Sequence, residues 1–126
     1  MDTDQRIARL ERAYRLFNDR QVEDLLALMT DDVRWPDVAN GTVLHDKGAI
    51  RQYWAGQFST SNPQVTPVEF IDAGDDLVAV VDQRILDLDG SVLFPPAVVF
   101  HRYAFAGDLI RHMAAFASRD AALNGD

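Results

Sequence analysis

The chain has 126 residues, 48% of them hydrophobic and 25% charged, with no cysteine and a formal charge of −8. That length suits one domain with a real core, the composition is ordinary for a globular protein, and disulfides and thiolate metal sites are excluded. The acidic balance argues against nucleic acid and against anionic membranes, both of which require clustered Lys and Arg.

Residues 3–18 read as a helix, because Ile7, Leu10, Tyr14 and Phe17 recur at three- and four-residue steps while arginines cover the other side. A second helix is expected over about 21–29, with Val22, Leu25, Leu26 and Met29 inward and Asn18 and Asp19 as capping residues between the two. Asp31 and Asp32 are read as its break. Val33–Trp35 then begins a short strand, which Pro36 limits to an edge or an end. Residues 37–45 read as loop. Asp46 can cap a third helix whose apolar face is Ile50, Tyr53, Trp54 and Phe58, ended by Ser59 to Pro63.

Strands are expected over 64–73, 77–88, 91–105 and 109–118, separated by turns at 73–76, 88–90 and 106–108, with Pro95 and Pro96 interrupting the third. The tail after Arg119 is small and polar and is expected to fray. Alternation puts Val81, Gln83 and Ile85 on one face of 77–88, and Val99, His101, Tyr103 and Phe105 on one face of 91–105. His112 alternates with Ala114 and Phe116 onto the opposite face, which leaves Met113 on the first. Val80, Leu86, Val98, Phe100 and Phe116 make the outer face apolar too, and a homodimer through the sheet is the simplest way to cover it.

Helices first and consecutive antiparallel strands after them make an α+β fold. The segments FNDRQVEDLLALMTDDVRWPD (17–37), GAIRQYW (48–54) and HRYAFAGDLIRHMAAF (101–116) resemble the nuclear transport factor 2-like superfamily, in its SnoaL-like polyketide cyclase and ketosteroid isomerase branch. The resemblance spans essentially the whole chain, 1–126. It implies a cone-shaped α+β barrel, with three N-terminal helices packed on a strongly curved, mostly antiparallel sheet around one apolar pocket. In that family the general base falls five residues beyond the second acid of the Asp pair, which is Asp37 here. The oxyanion donor on the penultimate strand falls on His101. The family tyrosine falls on Ala13 and not on Tyr14; one position turns a helical side chain by about 100°, so its role is not transferred. The third-helix aromatic is Tyr53, and the acid of the SnoaL-type cyclases falls on Ser118.

The chemistry that fits these residues moves a proton beside a carbonyl: Asp37 as base, His101 as donor or acid, with Tyr53 or Tyr103 as a second donor. Phe17, Trp35, Tyr53, Val81, Gln83, Tyr103 and Met113 are the expected ligand-binding wall, suited to a small apolar or polycyclic molecule. Gln83 is the odd member, since an amide on an apolar strand face must find a partner, whether a ligand or His101 on a neighbouring strand. No metal motif, phosphate-cradling glycine loop or nucleophile elbow is present, and no cofactor is expected. Residues 1–20 lack a signal-peptide core, and no apolar run approaches the roughly 20 residues that span a bilayer; a cytoplasmic protein is expected. Two readings remain open: a small-molecule lyase, isomerase or cyclase, and a non-catalytic ligand-binding or association domain of the same fold.

Overall fold

The computed structural model describes residues 2–38 and 40–125. Their elements run α1 (Thr3–Asn18), α2 (Val22–Leu26), β1 (Met29–Asp37), β2 (Thr42–Leu44), α3 (Lys47–Thr60), β3 (Asn62–Ala73), β4 (Asp76–Leu86), β5 (Val92–Ala106), β6 (Leu109–Phe116) and α4 (Arg119–Asn124). The six strands form one curved, unclosed sheet in the order β2-β1-β6-β5-β4-β3, antiparallel except for β1 against β6. The first three helices close the concave side as the lid of a cone.

α1 and α3 begin where the sequence supplies acceptors for their free N–H groups, whereas α2 has no side-chain cap. Asp2 and Gln5 form a reciprocal capping box on α1, and Asp46 accepts from Ala49 N at 2.7 Å on α3. Asn18 has a different task from capping: its amide donates to the Val65 carbonyl at 2.7 Å and accepts from Val65 N at 2.9 Å. It behaves as one more strand residue and fixes the end of α1 to the edge strand β3. The core beneath the lid is Leu10, Leu26, Met29, Val33, Ile50, Trp54, Leu77 and Ile110, each all but fully buried.

Three local expectations are corrected. Asp31 and Asp32 do not break a helix; α2 ends at Leu26, and both acids are exposed positions within β1, which begins at Met29. Alternation with Val33 and Trp35 turns Asp32 outward, and Asp31 falls where the β1–β6 register shifts, between Met29 and Arg34, which leaves it in water as well. The span 37–45 is not all loop, because Asp37, Pro36 and Trp35 pair with Thr42, Val43 and Leu44 in a hairpin. Pro95 and Pro96 interrupt the third long strand only locally, within a continuous β5. They sit opposite Arg84 alone, where Gln83 pairs with Ala97 and Ile85 with Phe94, so a bulge absorbs the missing donors.

The third correction concerns the tail. Ser118 accepts from Ala121 N and starts a helix, α4, which lies on the outer face of the sheet. There Ala122, Val78 and Val80 are buried. Arg102 holds it in place, donating from Nη1 to the carbonyls of Ala122 and Leu123 and from Nε to Asp76 at 2.8 Å. A cation at the C-terminal end of a helix also meets its partial negative charge. Part of the apolar outer face is therefore covered by the chain itself, while Val98 stays 56% exposed. Arg102→Ala should release α4 and wet Val78 and Val80, at a cost of about 1–3 kcal/mol, read as a lower urea midpoint.

Candidate functional site

The lid stops short of filling the cone. A cavity of about 620 Å³ remains between α1, α3 and the concave sheet face. Its floor and sides are apolar and aromatic: Phe17 and Trp54 meet edge to face, as do Trp35 and Trp54. Such walls suit flat hydrocarbon surface.

The most deeply buried polar groups meet at one place, apart from Tyr53, Gln57 and Gln83 on the rest of the wall. Tyr14 on α1 and His101 and Tyr103 on β5 all line the cavity. The Tyr14 hydroxyl lies 2.8 Å from His101 Nδ1 and 2.7 Å from the Tyr103 hydroxyl. All three residues are buried, with His101 only 8% exposed. Burial pushes the His101 imidazolium down from 6.5 to about 4, so the ring is neutral near pH 7. Burial likewise pushes both phenols up, Tyr14 with a further contribution from the neighbouring Tyr103.

Proton counting then fixes what this group can do. A neutral imidazole and two phenols carry three N–H or O–H protons and share two hydrogen bonds among themselves. Tyr103 donates to Tyr14, so one proton is left over: on His101 Nε2 if Tyr14 donates to Nδ1, or on the Tyr14 hydroxyl if Nδ1–H donates to Tyr14. Tyr14 and His101 both line the cavity, so the site presents a hydrogen-bond donor to an acceptor atom of a guest.

Asp37 is placed differently. It is buried, at 7% exposure, as the last residue of β1. Its carboxylate accepts from Asn40 twice, from the backbone N at 3.2 Å and from Nδ2 at 2.8 Å. Trp35, Pro36 and Val38 line the cavity, whereas Asp37 stands just behind them. Its charge reaches Tyr53, whose hydroxyl is pushed up mainly by burial and secondarily by Asp37.

Of the other expected wall residues, Phe17, Trp35, Tyr53, Gln83, Tyr103 and Met113 line the cavity and Val81 does not. Val81 is fully buried within the core cluster, and on that face of β4 the cavity wall is formed by Gln83 and Ile85. Gln83 is also no partner for His101. The register sets Gln83 opposite Ala97 and His101 opposite Ala79, four residues apart along the strand. Tyr14 takes that part instead. Its hydroxyl was visible in the sequence on the inward face with Leu10 and Phe17, and a buried phenol requires a partner. His45 is exposed, and His112 lies on the outer face beside Asp76 and Arg102. Among the described residues no group of three or more His, Asp or Glu side chains is arranged to hold a metal ion, and no helix is long and apolar enough to cross a membrane.

Residues 10–113 match the SnoaL-like domain family, and the chain belongs to that family. No curated protein matches it by sequence. Among solved structures it is similar to TerC co-crystallised with polyporic acid, at 22% identity and a TM-score of 0.78 over 93% of this chain and 94% of that one. It is also similar to a Δ5-3-ketosteroid isomerase from Mycobacterium sp., at 19% identity and a TM-score of 0.76 over 93% and 95%. A third is a Mycobacterium tuberculosis protein in complex with estradiol-17beta-hemisuccinate, at 20% identity and a TM-score of 0.74 over 92% and 95%. The shared architecture is the nuclear transport factor 2-like cone.

The depressed imidazole makes stability depend on acid. Between about pH 6.5 and 4 the unfolded chain takes up the His101 proton and the folded chain does not. Stability is therefore complete above that window and falls as pH drops through it, by on the order of 3 kcal/mol in full. The expected result is an NMR titration in which the His101 ring stays neutral to below pH 5, and a His101→Asn variant whose unfolding free energy varies less between pH 7 and pH 4.5. A ring titrating near 6.5 would refute the assignment.

Proposed function

We propose that the chain binds a flat, largely apolar small molecule through a carbonyl or enol oxygen and rearranges it by proton transfer, as an isomerase or cyclase. The observation that carries this reading is the Tyr103–Tyr14–His101 chain in an otherwise apolar cavity. A buried donor left without an acceptor is costly, and a ligand oxygen supplies the acceptor. The same donor is strongest toward an oxygen that gains negative charge, which is what enolisation produces. The small molecules bound by TerC and by the tuberculosis protein are consistent with that cavity chemistry.

In this reading Asp37 takes the proton from the carbon between a carbonyl and a double bond. The electrons move into the enolate oxygen held by the Tyr14 group, and Asp37 returns the proton to the far end of the double bond. Each carboxylate oxygen of Asp37 keeps a lone pair beyond its bond to Asn40. A second reading is favoured by one observation: that carboxylate is already held by Asn40 and stands behind the wall. On that view the protein binds the same class of ligand without turning it over.

Two measurements separate them. Binding of 2-naphthol should weaken about tenfold in Tyr14→Phe, the scale of one hydrogen bond near the upper end of its range. Conversion of a β,γ-unsaturated cyclic ketone to its conjugated isomer, followed by ultraviolet absorbance, should fall roughly 10²-fold in Asp37→Asn. Naphthol binding without any ketone conversion by the wild-type protein would leave the binding-only reading.

A homodimer through the outer sheet face belongs to the same reading. The face keeps Val98 exposed and Phe100 half-buried, with the Arg119 guanidinium at the start of α4 lying 6.0 Å from the Phe100 ring centre. Phe100→Glu should convert a dimer of about 28 kDa, twice the 14.1 kDa chain, to monomer in sedimentation, because a lone carboxylate would be buried. A wild-type protein that sediments only as monomer at micromolar concentration removes the dimer.

A further inference from the structure

We infer that Gln57 and Gln83 form a second polar pole of the cavity, which takes a hydroxyl or carbonyl group at the far end of an elongated ligand. The inference rests on the small-molecule reading above and adds the shape and polarity of the guest.

Gln5 caps α1, Gln21 reaches the Asp19 carbonyl, Gln64 reaches Asn62, and Gln52 is exposed on α3. Gln57 and Gln83 are instead half-buried and line the cavity, where neither amide belongs to the buried polar atoms shut off without a partner, so both stay open to the cavity water. They come from different elements. Gln57 stands on α3 three and four residues after Trp54 and Tyr53, so the three share the face that closes the cavity. Gln83 comes from the sheet, flanked on its face by apolar Val81 and Ile85. Two carboxamides thus meet a wall that is otherwise aliphatic and aromatic.

Their position relative to the first pole sets a length. His101 pairs with Ala79, and Gln83 lies four residues further along β4, which is about 13 Å of strand. Only a rigid molecule several fused or linked rings long touches both ends, and a two-ring ligand reaches one. Water satisfies the amides in the absence of a guest. A ligand with a bare hydrocarbon end expels that water and offers nothing in return, so it is penalised, whereas an end group that donates or accepts is not. Each carboxamide both donates and accepts, so a hydroxyl or a carbonyl serves equally.

Estradiol and 17-deoxyestradiol are the probes: both are rigid four-ring phenols, and only the first carries a polar group at the far end. Dissociation constants follow from quenching of Trp35 and Trp54, which line the cavity. The wild-type protein should prefer estradiol about fivefold, the scale of one net hydrogen bond. Gln83→Leu should bring that ratio close to one by weakening estradiol while 17-deoxyestradiol binds as well or better. The retained 17-deoxyestradiol binding certifies the fold, and Gln57→Leu, on a separate element, repeats the test. Tyr14→Phe should weaken both steroids alike and preserve the ratio. A wild-type ratio near one, or a ratio unmoved by both leucine variants, overturns the second pole even while 2-naphthol binding upholds the first. If neither steroid nor 2-naphthol binds, the small-molecule reading falls and takes the second pole with it.

Discussion

A phenol buried between an imidazole and a second phenol inside a largely apolar cone is the constraint on which the site depends. Taken singly, each of these groups would be expensive to bury. Together they satisfy one another through two short hydrogen bonds and keep the ring neutral, at the cost of one donor left over. That remainder gives an otherwise oily cavity a direction. It also ties the lid to the sheet, since Tyr14 belongs to α1 and His101 and Tyr103 to β5, more than eighty residues away in sequence.

Curvature is what keeps the cavity open. The bulge opposite Pro95–Pro96 and the register shifts in β3 and β5 bend the sheet away from the lid. Aromatic side chains then line the remaining space without filling it. At Val81 the inward face of β4 is solid core; at Gln83 and Ile85 the same face becomes wall. The boundary between stability and binding therefore falls within one strand. The outer face shows the same economy, with Arg102 fastening a terminal helix over Val78 and Val80.

Asp37 and the Tyr14 group are held by different means, and this bears on how a reaction could be organised. The Tyr14 group is fixed by its own internal bonds and by deep burial. Asp37 is fixed by Asn40, from which its carboxylate accepts twice. Tyr53 lines the cavity, and its hydroxyl senses the Asp37 charge.

Period and punctuation alone determined most of the architecture. The three- and four-residue steps of Ile7, Leu10, Tyr14 and Phe17, the cap at Asp46 and the alternation through His101 and Tyr103 are local physics, and the elements and faces followed from them. The cone and the family were legible by another route, the resemblance of residues 17–37, 48–54 and 101–116 to a known superfamily. Tertiary structure decided the rest, because it concerns which groups meet. That Tyr14, and not Gln83, meets His101 depends on the distance between register positions and on the tilt of a helix over a sheet. That Val81 is core, that Asp37 stands behind the wall, and that the tail is a clasped helix all depend on where a curved sheet leaves room. Hydrophobic pattern tells a side chain which way to face; only the packed chain settles whether it meets another side chain or an empty space.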